Sequence, residues 1–138
     1  MPIVKELDIP LENRPGALAK VCKALADRKI NILAFQASTA ERRSQVHLVV
    51  DNSAAAKTVL AAEGLIYAET ELVQVLLPNR PGELARVAAQ LGEANININY
   101  AYAGVDPRTN APLLFFGVEE VGRAAKLLDQ VAATAAGG

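Results

Sequence analysis

The tetrapeptide Asn-Arg-Pro-Gly occurs twice, as Asn13-Arg14-Pro15-Gly16 and again 66 positions later as Asn79-Arg80-Pro81-Gly82. Its residue types suit the capture of a small anion or zwitterion. An asparagine amide offers both a donor and an acceptor. Proline fixes its own φ, so neighbouring backbone donors are held in place. Glycine has no Cβ to keep a ligand off the main chain. If a helix follows, its first N–H groups lack internal partners and carry partial positive charge, which favours a carboxylate or phosphate. The purely architectural reading is that Asn caps the helix, Pro starts it and Gly packs tightly.

Other chemistry finds few carriers. The chain has one histidine, His47, and one cysteine, Cys22. A His-rich metal site, a Ser-His pair or a Cys-His pair is therefore hard to build in one chain. His47 sits in the alternating stretch "SQVHLVV", opposite Val46 and Leu48, and is expected to face solvent or an interface. Cys22 falls on the apolar side of a helical pattern and reads as a small core residue. Asp51, Asp106 and Glu119 fall at turns or helix starts, where acids suit the dipole. No metal-ligand spacing, nucleotide fingerprint or nucleophile elbow occurs. The expectation is a chain that is no enzyme and takes no metal or cofactor.

Composition bounds the rest. With 138 residues, 51% apolar and 21% charged, the chain can bury a core as one domain or two small ones. The net charge is −1, and neither half is basic enough for a phosphate-backbone binder. "ERR" at 41–43 reads as a solvated turn, so no nucleic acid is expected. A single cysteine excludes an intrachain disulfide framework and fits a reducing compartment. Glu6 and Asp8 interrupt the apolar run that a signal peptide needs. The longest uncharged stretches, 11 and 12 residues, fall short of the about 20 that span a bilayer. These features point to a cytoplasmic protein without membrane partners.

The elements around the tetrapeptides repeat as well. Between Asn13–Leu33 and Asn79–Asn99, 11 of 21 positions are identical without a gap. Two copies are too few for a solenoid, so the pattern means a tandem pair of one small domain, residues 1–70 and 71–138. In the first copy Leu7, Ile9 and Leu11 alternate with Glu6 and Asp8, which reads as a half-buried strand. Val73, Val75 and Leu77 keep that register in the second. Leu18, Val21, Cys22 and Leu25 then follow helical spacing, matched by Leu84, Val87, Ala88 and Leu91. Pro15 and Pro81 suit the first helical position and Gly16 and Gly82 the second. A strand ("INILAF", "INININYAY"), a polar turn, a richer strand ("QVHLVVD", "LLFFGVE") and a second helix complete each copy. Asn52 is the expected N-cap of that helix in the first copy and Gly64 its stop. "LIYAE" supplies a last strand leading almost directly into "ELVQVLL".

The order strand-helix-strand-strand-helix-strand is the ferredoxin-like arrangement, an α+β fold with antiparallel sheets. The second copy is expected to lack its last strand, and the closing "AATAAGG" to be disordered. "LLFFGV" is apolar on both faces, so its sheet is expected to be covered on both, by the other copy or by a second chain.

"NRPGALAKVCKALADRKINIL" and "NRPGELARVAAQLGEANININ" resemble the opening of the ACT domain, a small ligand-binding regulatory fold built as βαββαβ. The resemblance spans both copies. It implies an allosteric, non-catalytic protein that binds a free amino acid or similar zwitterion at domain–domain interfaces, pairs as a homodimer and controls a metabolic enzyme. It assigns the ligand loops to Asn13, Arg14, Pro15 and Gly16 and to Asn79, Arg80, Pro81 and Gly82. It adds Asn31 and Asn97, at the start of each second strand, which also read as turn residues capping the preceding helix. Serine-sensing members carry a histidine two residues before the loop asparagine. Leu11 and Leu77 stand there, which argues for a ligand with an apolar side chain. Leu33 and Phe35, or Tyr100 and Tyr102, are the candidates to line its pocket or to pack in a core or interface. The alternatives are a pure dimerisation or assembly module and a regulatory subunit of an amino-acid biosynthetic enzyme.

Overall fold

A computed structural model describes residues 3–40 and 43–137, with side chains to residue 129. The elements run β1 Ile3–Glu12, α1 Ala17–Asp27, β2 Ile32–Ala40, β3 Arg43–Val50, α2 Ser53–Ala62, β4 Ala68–Leu76, α3 Glu83–Glu93, β5 Tyr100–Val105, β6 Pro112–Gly117 and α4 Val121–Gly137. They form two compact units. One is Lys5–Thr70; the other is 71–137 together with residues 3–4. The chain forms two tandem βαββαβ-like units with antiparallel sheets.

In the first unit β3 lies between β1 and β2 and runs antiparallel to both. Alternation sets which residues share a face. Leu7, Ile9 and Leu11 of β1 and Val46, Leu48 and Val50 of β3 all point to the helix side. There they meet Val21 and Leu25 of α1 and Ala56, Val59 and Leu60 of α2. The second unit repeats this with β6 between β4 and β5. Its core joins Val73, Val75 and Leu77 to Val87, Leu91, Phe116 and Leu128.

The helix ends are built alike. Lys29 (φ 59°) and Asn95 (φ 60°) occupy the left-handed region just past α1 and α3. At each, two bonds return to the last helical turn. Ile30 N–H reaches Leu25 O at 3.1 Å and Lys29 N–H reaches Ala26 O at 2.9 Å; Ile96 and Asn95 do the same to Leu91 and Gly92. This is a Schellman stop, and buried Ile30 and Ile96 pin it. α2 closes in the same way at Gly64, with Leu65 N–H on Leu60 O at 2.9 Å. Asn52 caps α2 through its side chain, accepting from Ala55 N–H at 3.1 Å.

Three features differ from the sequence reading. The last strand of the first copy and the first of the second are one continuous strand, β4, because no breaker interrupts Ala68–Leu76. Ile3, from the N-terminal end of β1, packs against the core of the second copy, which lacks its own final strand as its sequence implies. "AATAAGG", expected to be disordered, continues α4 as far as Gly137; Gly138 lies outside the described residues. Alanine is the best helix former, which accounts for the extension. Of the "ERR" turn, Glu41 and Arg42 lie outside the described residues. Among those described, no helix is long and apolar enough to cross a membrane.

Candidate ligand site at the first turn

The turn after β1 is tighter than its sequence implies. Arg14 N–H bonds Glu12 O at 3.0 Å, and Ala17 N–H reaches Arg14 O at 3.3 Å. Pro15 lies inside this turn rather than at the first helical position. Gly16 is the N-cap, at φ 85°, and no side chain caps the helix. Asn13 therefore does not cap α1, and its side chain is exposed. Nor does Gly16 pack tightly: a Cβ there would meet nothing within 4 Å. Glycine is required by the positive φ, which costs an L-residue about 1–2 kcal/mol. The physical outcome is a bare helix end. The first bond inside α1 is Lys20 N–H to Gly16 O at 3.0 Å. Among the described residues, Leu18 and Ala19 N–H have no acceptor.

A crevice of about 290 Å³ opens beside this turn. Such a volume sits at the lower edge of small-molecule sites, about 300–1,000 Å³. Its wall is mixed. Leu11, Ala17, Val21, Leu65 and Ile66 are apolar. Arg14 and Lys20 supply positive charge; Glu12 and Glu63 supply negative charge. Arg14 pairs with Glu12 at 3.4 Å, with both side chains exposed, so the pair is solvated and weak. A wider, more open hollow of about 490 Å³ adjoins the crevice, sharing Pro10, Leu11, Glu12 and Arg14 and adding Asn13 and Arg43. Lys20, Glu12 and the Glu63–Ile66 turn were not among the residues singled out from the sequence. The Gly64 stop was their one signal, since a left-handed turn there returns the chain towards β1.

The second turn is the same fold with different electrostatics. Gly82 is again the N-cap, at φ 89°, with open space around it. Glu83 occupies the first helical turn, where the first copy has Ala17. Its carboxylate accepts from Arg80 Nε at 2.8 Å and from Arg86 Nη2 at 2.7 Å. Those two bonds, Arg86 first, hold the Glu83 carboxyl below its usual range. This helix end already has an anion beside it, and the Arg80 side chain is committed to it.

Asn31 and Asn97 are exposed. Asn31 is held by its backbone, N–H to Asp51 Oδ1 and C=O from Asp51 N–H, both 3.0 Å. Asn97 lies before β5 rather than in it, with Nδ2 on Asn99 Oδ1 at 3.1 Å. Neither caps the preceding helix, whose end is closed by backbone bonds. Phe35 is 57% exposed, and Tyr100 and Tyr102 stack on one another at 6.4 Å. Cys22 is partly buried, and burial pushes its thiol up, away from reactivity.

One buried group lay outside the sequence expectation. Alternation sets Glu6 and Asp8 on the outer face of a half-buried strand, yet Glu6 is wholly buried and Asp8 nearly so. His47, expected at solvent or an interface, places Nδ1 3.0 Å from Glu6 Oε1 and 2.8 Å from Asp8 Oδ1. The Thr70 hydroxyl donates to Asp8 Oδ2. Burial pushes the Asp8 carboxyl up, but hydrogen bonds with Glu6, Thr70 and His47 outweigh it and the net shift is downward.

A sheet-and-helix unit with a bare helix N-terminus over a small crevice defines a class of ligand-binding domain. Residues 7–63 and 72–134 each match the ACT domain family, and the chain belongs to that family. Over 93 residues, 66% of this chain, it is 31% identical to the ACT domain-containing protein ACR3 of Arabidopsis thaliana. The chain spans 20% of that relative's length. Protein BT0572 from Bacteroides thetaiotaomicron has a similar structure, with a TM-score of 0.83 at 25% identity over 94% of this chain and 88% of that one. The regulatory subunit of aspartate kinase from Thermus thermophilus shares the fold at a TM-score of 0.62 and 18% identity, covering 95% and 97% of the two chains.

Proposed function

We propose that this chain is a non-catalytic regulatory module that binds a free amino acid at the turn Asn13–Gly16. The observation that carries the reading is the crevice beside a bare helix N-terminus, with charges of both signs on its wall. The carboxylate of a zwitterion would lie towards the α1 N–H groups and Arg14 or Lys20. Its ammonium would lie towards Glu12 or Glu63, and an apolar side chain against Leu65 and Ile66. Asn13 does not line the crevice itself; from the adjoining hollow its exposed amide would offer one more donor and acceptor. The matched turn at Asn79–Gly82 is the weaker anion site, because Glu83 competes for it. ACT-family membership, and a fold shared with the regulatory subunit of aspartate kinase, support a regulatory role. Control of a metabolic enzyme would then come from differential affinity for two states, typically worth about 1–3 kcal/mol.

Thermal melts with each of the twenty amino acids test this. A ligand at 100 times its dissociation constant adds about 2.7 kcal/mol of stability. The expected result is a rise with one or a few apolar amino acids that Asn13→Ala weakens. A flat response to all twenty favours the assembly reading, in which the paired units serve only to dimerise.

A further inference from the structure

We propose that Glu6, Asp8 and His47 form a divalent transition-metal site in the first unit. Nδ1 of His47 lies 3.0 Å from Glu6 Oε1 and 2.8 Å from Asp8 Oδ1, and all three donor atoms lie within 4.8 Å of one another. Donors about 2.1 Å from a common ion stand roughly 3.0–3.4 Å apart, so the two edges at His47 lie within a few tenths of an ångström of that spacing. Imidazole with two carboxylates is a donor set for zinc, manganese, iron or cobalt rather than for calcium or magnesium. The Thr70 hydroxyl on the other Asp8 oxygen is the outer contact that orients a ligating carboxylate.

The duplicate unit supplies an independent reason. Asp8 faces His47 across β1 and β3; at the same place Gln74 faces Phe115 across β4 and β6. Glu6 corresponds to Leu72. Leu72 and Phe115 are fully buried, and Tyr102 stacks on Phe115 at 5.5 Å. The fold thus fills this sheet face with apolar side chains where nothing else is asked of it. The first unit instead buries two carboxyl groups beside a half-buried imidazole, at a desolvation cost the architecture does not require. One histidine argued against a His-rich site, but not against one imidazole with two carboxylates.

The test uses the full chain, free of tag histidines and stripped with a chelator. Titration with Co²⁺ should give a visible ligand-field spectrum saturating at one ion per chain, and Zn²⁺ should abolish it by displacement. His47 is the chain's one histidine, so its ring ¹⁵N signals need no assignment, and Nδ1 should move on addition of Zn²⁺. The triple variant Glu6→Leu, Asp8→Gln, His47→Phe carries the residues of the second unit. It should keep a cooperative melt and lose binding by about 100-fold or more, while Thr70→Val loses about 10-fold. Absence of stoichiometric Co²⁺ and Zn²⁺ binding to the wild-type chain overturns the proposal. So does binding that leaves the His47 ring signals in place, whatever the variants do.

Discussion

The two copies share a backbone plan and differ at two places where the plan alone would not make them differ. At the turn before the first helix, copy one leaves the helix end bare and copy two sets Glu83 beside it, tied by Arg80 and Arg86. On the sheet face away from the helices, copy one buries Glu6 and Asp8 beside a half-buried His47, and copy two buries Leu72 and Phe115. A duplicated domain is its own control. What both copies keep is what the fold needs: alternating strands, the Gly N-caps, the Schellman stops. What one copy changes at an energetic cost is where function is to be sought.

The largest expected effect comes from forcing copy two to resemble copy one in part. Leu72→Glu buries a carboxylate with no His47 or Thr70 counterpart around it. It should cost about 3–5 kcal/mol, read as a large drop in the urea midpoint. A loss below about 1 kcal/mol would mean that the face tolerates charge and that the contrast is incidental.

Gly16→Ala and Gly82→Ala come next. Both glycines have positive φ and open space, so strain is the sole penalty. Each should cost about 1–2 kcal/mol, nearly equally, by chemical denaturation. Unequal losses would show that one turn is held by something beyond its backbone.

A smaller effect is electrostatic. Glu83 has a folded-state pKa below its usual value of 4.5, so its contribution is present above that value and is lost as pH falls through the lowered one. Glu83→Gln should therefore be less stable than wild type near neutrality and indistinguishable from it in strong acid. Ala17→Glu transplants the same charge into copy one. It should weaken amino-acid binding several-fold with little change in stability. Unchanged binding would remove the bare helix end from the account.

Much of this plan was readable in the residues. The repeat, the element order, the Asn52 cap and the family follow from periodicity and from two short motifs. Those are local signals, and local physics honours them. The errors arose where a residue's role depends on a partner far along the chain. Asn13 looks like a cap until Gly16, at positive φ, takes that position. Glu6 and Asp8 look like a wet strand face because alternation gives only two faces and cannot say that both are covered. His47 meets them from 41 and 39 residues away, a distance no local pattern spans. Ile3 belongs to the core of the far copy for the same reason.

The most direct test of the central claim follows single amides. In a ¹H–¹⁵N titration with whichever amino acid raises the melting temperature, Leu18 and Ala19 should shift with saturating, ligand-dependent curves. Leu84 and Ala85, at the end guarded by Glu83, should lag far behind. Equal movement at the two turns, or movement confined to Leu84 and Ala85, contradicts the account.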